Sequence, residues 1–132
     1  MAWRLTRLGL LLLAVGQGVT AVWALSAPRS FYDDFPGGGS SWVSAFPPFN
    51  EHVIRDYGSA LLALTVLALA AAVIAERRVA QVALGVLAVA ATPHLVFHVI
   101  HAGQSGAGTL VSLGLNAALP IFLLFLVPKE SS

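Results

Sequence analysis

The chain has 132 residues, 58% of them hydrophobic and 10% charged, and its mean hydropathy of +0.84 lies far from the balance of a water-soluble domain. A formal net charge of +1, with the basic residues scattered, leaves no electrostatic footprint for nucleic acid. Cysteine is absent, which excludes disulfides, thiolate nucleophiles, iron–sulfur clusters and cysteine-ligated zinc.

The composition predicts an all-α integral membrane protein. A span takes about 20 residues, so one transmembrane domain over residues 1–132 has room for a four-helix bundle and little else. The first span is expected over about 8–26, behind a basic end holding Trp3, Arg4 and Arg7. A secretory signal peptide competes for this segment, because Ala24-Leu25-Ser26-Ala27 offers small residues to a peptidase. Pro28 directly behind them disfavours cleavage, and the apolar run is long for a signal core. Residues 28–50 change to Pro, Gly, Ser and aromatics (Phe31, Tyr32, Phe35, Trp42, Phe46, Phe49). Such a segment reads as an ordered cap at the membrane interface, with a flexible turn at Gly37-Gly38-Gly39.

Pro47-Pro48 stops this loop and Asn50 is a suitable N-cap for a second span over about 51–75. The charged turn Glu76-Arg77-Arg78 makes the third span, about 79–102, its antiparallel neighbour. Pro93 interrupts that span and frees the carbonyl of Val89, which predicts a kink just before His94. After the connector Gln104–Gly108, a fourth span covers about 109–127, followed by a polar tail. Gln17 and Asn116 read as interhelical hydrogen-bond partners, and Gly16, Gly18, Gly85 and Gly114 as points of close helix approach. Arg4, Arg7, Arg77, Arg78 and Lys129 fall at one set of span ends, Arg29 and Arg55 at the other. The positive-inside rule then puts both termini in the cytoplasm, in the inner membrane, with Asp33, Asp34, Glu51, Asp56 and the histidine-bearing ends toward the periplasm or exterior.

Three of the four histidines lie in the third span. His94, His98 and His101 are spaced i, i+4, i+7, within roughly a 60° arc of one helix face. The fourth, His52, shares a face of the second span with Arg55, Asp56 and Ser59. In an antiparallel pair with a rise of about 1.5 Å per residue, His101 is expected level with His52, His98 near Asp56, and His94 roughly 10 Å deeper than His101. Ionisable groups inside a membrane are costly and mark functional sites. The expected site is therefore a metal centre of His52, His94, His98, His101 and Asp56. Mixed imidazole and carboxylate donors suit Zn, Fe, Cu or Mn. Glu51 or Asp56 is the candidate general base, and Arg55 orients Asp56 or an anionic group. Haem is a weaker fit, since three histidines on one face exceed what it needs and so small a bundle would have to pair with a second copy to enclose it. A homo-oligomer is a further expectation. The spacing lacks the glutamate of the HExxH zinc-protease motif.

The pattern NEHxxRD from Asn50 to Asp56, followed by PHxxxHxxH from Pro93 to His101, resembles a family of small four-helix bacterial membrane proteins of uncharacterised function. The likeness implies four spans and a functional pairing of the two segments. It carries over no reaction or cofactor. The leading expectation is an outward-facing His/carboxylate metal site, in an enzyme acting on an apolar or lipid-like substrate from the membrane. The alternatives are a proton or cation transporter using the histidine stripe, and a structural subunit of a membrane complex.

Overall fold

A computed structural model describes residues 1–128; Lys129, which entered the orientation argument, lies outside the described residues. Among the described residues there are five helices: α1 (Ala2–Ser26), α2 (Pro28–Asp34), α3 (Glu51–Ile74), α4 (Arg77–Ile100) and α5 (Ala107–Leu126). All but α2 are long and apolar enough to cross a membrane, which fits a membrane protein. The expected spans correspond to α1, α3, α4 and α5. Helix α1 begins earlier than expected, taking in the basic end, and α2 stands where irregular cap was expected.

Local chemistry sets the boundaries. Ala27 precedes a proline, is pushed out of the helical region to φ −139°, and ends α1. Pro28 then opens α2 at a position where its missing N–H costs nothing. Asn50 caps α3 through its side-chain oxygen, which accepts from the Val53 N–H at 3.2 Å. Ala75 closes α3 in the left-handed region at φ 53°. Pro93 and Pro120 both lie inside their helices, and directly before Pro93 the Thr92 hydroxyl donates to the Ala88 carbonyl at 2.7 Å.

The helices associate as two close pairs, α1 with α3 and α4 with α5, joined by lighter α1–α5 and α3–α4 contacts. Small residues set the close approach of α1 and α3. A Cβ on Gly58 of α3 would lie 3.2 Å from the Ala21 carbonyl oxygen and 2.9 Å from Leu25 Cγ, so only glycine admits this approach. Gly18 meets Thr65 across the same seam, and Gly9 of α1 is pressed against Leu123 of α5. Gly16, Gly85 and Gly114, expected to mark close approach, meet nothing within 4 Å. The opposite face of α1 carries Leu8, Leu12, Val15, Val19 and Val22, all exposed. Such a stripe is unusual against water and ordinary against lipid.

Burial is uneven along the bundle. At the end holding the start of α1 and the α3–α4 turn, Leu10, Leu13, Ala14, Ala68, Ala72, Ala83, Leu84, Leu87 and Leu123 pack into a closed apolar plug. At the other end Ala24, Phe31, Tyr32 and Ile54 form a second, smaller core under the 35–50 loop. Between them α1 and α3 stay in contact, and a cavity opens beside that seam.

Candidate functional site

The space between plug and loop is a cavity of about 1010 Å³ bordered by all five helices. Its floor is Leu13, Leu64, Leu87 and Leu119, continuous with the plug. Its roof is aromatic. Phe31 and Phe35 lie 4.8 Å apart between ring centroids, and Trp42 meets Phe35 edge-on at 5.9 Å. Phe46 reaches across to α4, with its ring edge-on to His98 at 5.3 Å and tilted against Phe97 at 5.4 Å. Gly37, Gly38 and Gly39 all have positive φ, the backbone their type allows, and turn the loop back over the bundle. Arg29 of α2 braces the roof from beside it, 2.7 Å from Asp33 Oδ2 and over the Phe49 ring at 5.1 Å. The hydrogen bond to Asp33 and its charge hold this guanidinium further above the ordinary arginine range.

Within a mostly apolar wall several polar side chains border the cavity, among them Gln17 of α1, Tyr57 of α3, His94 and His98 of α4, and Ser112 and Asn116 of α5. No Asp, Glu, Lys or Arg among the described residues borders it. His94 and His98 lie one turn apart with ring centroids 5.0 Å from each other and planes tilted by 55°, and Tyr57 meets His94 edge-on at 6.4 Å. His98 is buried, and its Nδ1 lies 2.8 Å from the hydroxyl of Ser105 in the α4–α5 connector. That bond fixes the ring and leaves Nε2 as its other polar atom.

The remaining candidates lie elsewhere. His101 is exposed, and its Nδ1 turns back to the Phe97 carbonyl at 2.8 Å. His52 Nε2 sits 3.3 Å from Asp56 Oδ2, with side chains 83% and 67% exposed. Arg55 binds Glu51 at 2.8 Å and the Leu25 carbonyl at the end of α1, so this pair ties α3 to α1. Ser59 donates to the Arg55 carbonyl. The five-donor centre of His52, His94, His98, His101 and Asp56 does not assemble, and among the described residues no three His, Cys, Asp or Glu side chains gather where they could hold a metal ion. The reason lies in the pairing: α3 packs chiefly on α1, so the face it gives the cavity is Val53, Ile54 and Tyr57, beside the His52–Asp56 stripe.

Gln17 and Asn116 correct a second expectation. Among the described residues they are bonded to no neighbouring helix; both border the cavity, and Gln17 Oε1 is buried with no hydrogen-bond partner there. Tyr57 was not singled out from the sequence. Its one visible signal is a position three residues beyond Ile54 on the buried side of α3. Comparison with known protein families, curated proteins and solved structures finds no match.

Proposed function

We propose that this chain is a multi-pass inner-membrane protein whose chamber holds an apolar, lipid-like small molecule, with the guest's polar part against His94, His98, Tyr57 and the side-chain amides. The observation that carries the reading is the chamber itself: about 1010 Å³, apolar over most of its wall, with a few convergent polar groups and, among the described residues, no carboxylate or ammonium facing it. Small-molecule sites have this make-up, at volumes of roughly 300–1,000 Å³. Arg4, Arg7, Arg77 and Arg78 lie at the plugged end and Arg29 and Arg55 at the loop end. This supports cytoplasmic termini and a chamber toward the periplasm or exterior. The plug of Leu10, Leu84 and Leu87, each at most 1% exposed, favours holding a guest over conducting protons or cations through the bundle. The scattered imidazoles and acids lend the metal reading no comparable support.

The reading is tested by organic extraction of the protein purified in mild detergent, followed by mass spectrometry. An apolar species retained near one per chain is expected, and Ala91→Trp, which fills the chamber from a nearly buried wall position, reduces it at least fivefold. Extracts no richer than a detergent-matched control protein overturn the reading.

A further inference from the structure

The chamber meets the surface along the α1–α5 seam and also beside the α3–α4 seam, where the lining residues Val53 and Phe97 are 57% and 45% exposed. At the plugged end α1 and α5 touch, Gly9 against Leu123. Two turns along α1, a Cβ on Gly16 meets nothing within 4 Å. At that level Leu12 and Gly16 of α1 and Leu115 of α5 border the cavity and also face outward, Leu12 and Leu115 being 64% and 66% exposed. One set of side chains therefore lines the inside and touches the surroundings. Across the α3–α4 seam the Tyr57 and His94 rings make a bridge; among the described residues no side-chain hydrogen bond or ring contact joins α1 to α5. Directly behind the gap stand two amides, Gln17 next to Gly16 and Asn116 next to Leu115, and Gln17 Oε1 has no partner.

We infer that the α1–α5 seam is a lateral portal from the membrane, and that the guest is an uncharged lipid with a hydroxyl head and a long hydrocarbon chain. This deepens the proposed function and rests on it. The portal lies in spans whose outward faces are Leu and Val, so what arrives there is already dissolved in lipid. The head is uncharged because, among the described residues, no charged side chain borders the chamber, and an unpaired charge in such surroundings costs several kcal/mol or more. The head is a hydroxyl because that group is donor and acceptor at once and can donate to the Gln17 amide oxygen while accepting from a side-chain N–H. A buried amide oxygen without a partner costs about 1–3 kcal/mol; a guest hydroxyl removes that cost.

The test is photo-cross-linking in phosphatidylcholine vesicles with a hexadecanol carrying a mid-chain diazirine, the adducts mapped by mass spectrometry. The expected result is saturable labelling at Leu64, Leu87 and Leu113, competed by plain hexadecanol and not by hexadecyl phosphate, with unsaturable labelling at the lipid-facing Val89 and Val111. Gly16→Trp, which places a ring in open space, reduces the saturable part at least fivefold and leaves the lipid-face labelling unchanged. Leu115→Trp does the same from the other side of the seam. Saturable labelling untouched by both substitutions overturns the portal while leaving the chamber as a binding site. Equal competition by hexadecyl phosphate overturns the uncharged head. Labelling confined to Val89, Val111 and other outward residues overturns this inference and the proposed function together.

Discussion

His98 Nδ1 and Ser105 Oγ, 2.8 Å apart and both buried, tie the last turn of α4 to the connector that starts α5. The bond holds one cavity-facing imidazole in place and stands in for water at the loop end of the α4–α5 pair. Ser105→Ala leaves the ring nitrogen unpaired and is expected to lower stability by about 1–3 kcal/mol, measured by denaturant unfolding in micelles. Ser105→Thr keeps the hydroxyl and recovers most of the loss. Equal stability of Ser105→Ala and the parent contradicts a structural role for this bond.

Two glycines separate close packing from mere flexibility. A methyl on Gly58 runs into Leu25, Ala24 and the Ala21 carbonyl, whereas one on Gly85 meets nothing within 4 Å. Gly58→Ala is therefore expected to destabilise by about 1–3 kcal/mol through overpacking, since backbone cannot step aside as a side-chain tip can. Gly85→Ala is expected to be neutral or to stabilise by up to about 1 kcal/mol. The same unfolding measurement reads both, and a Gly85→Ala loss matching that of Gly58→Ala shows that the α1–α3 seam is not what the glycine serves.

Ala75 is the chain's non-glycine residue with positive φ among the described residues, where an L side chain crowds its own carbonyl at a cost of roughly 1–2 kcal/mol. It is exposed and ends α3 just before the Glu76 turn. Ala75→Gly removes the crowding, while the more flexible unfolded chain takes back part of the gain. The expected net stabilisation is about 0.5–1 kcal/mol, and a loss of stability counts against the left-handed cap.

The sequence made the spans legible because apolar runs of about 20 residues, bounded by Pro, Gly and charge, leave few alternatives. The start of α3 was readable to the residue from Asn50 and the prolines before it. The histidine stripe was readable as a stripe, and two of its three members do border the chamber. What helical spacing cannot give is the direction a stripe faces, because that depends on which helices pair. The pairing was written in Ala21, Ala24 and Gly58, a match between two distant segments that no periodicity within either reveals. The chamber is less legible still: it arises where α1 and α5 part beyond Gly9 and Leu123, a property of helix paths.

That pairing bears on metal dependence. His52 and Asp56 form an exposed i,i+4 pair, and such pairs contribute at most about 1 kcal/mol. His52→Ala and Asp56→Ala are each expected to change stability by less than that and to leave guest retention intact. Treatment with a strong chelator is expected to leave the unfolding midpoint where it was, since a resident ion bound only by the folded state would stabilise it by mass action. A midpoint that falls on chelation and returns with one particular divalent ion restores the metal centre as the leading reading.

The roof gives a prediction that separates loop opening from global unfolding. Phe46 joins the 35–50 loop to α4 through Phe97 and His98, with a weaker edge contact to His101 at 6.1 Å. Ring pairs of this kind contribute about 0.5–1.5 kcal/mol beyond the area they bury. Phe46→Ala removes them from the loop side and leaves the helix seams untouched, so the loop opens more often while the bundle holds. Where opening and closing are fast, proteolysis follows the population of the open form, and about 1.4 kcal/mol raises the cleavage rate within residues 36–49 roughly tenfold. Phe46→Tyr keeps the ring and is expected to cleave at the parent rate. Unchanged cleavage in Phe46→Ala, with normal helix content, shows that the loop is held by Trp42 and Phe35 on the α1 side instead, and moves the hinge of the roof away from the histidines.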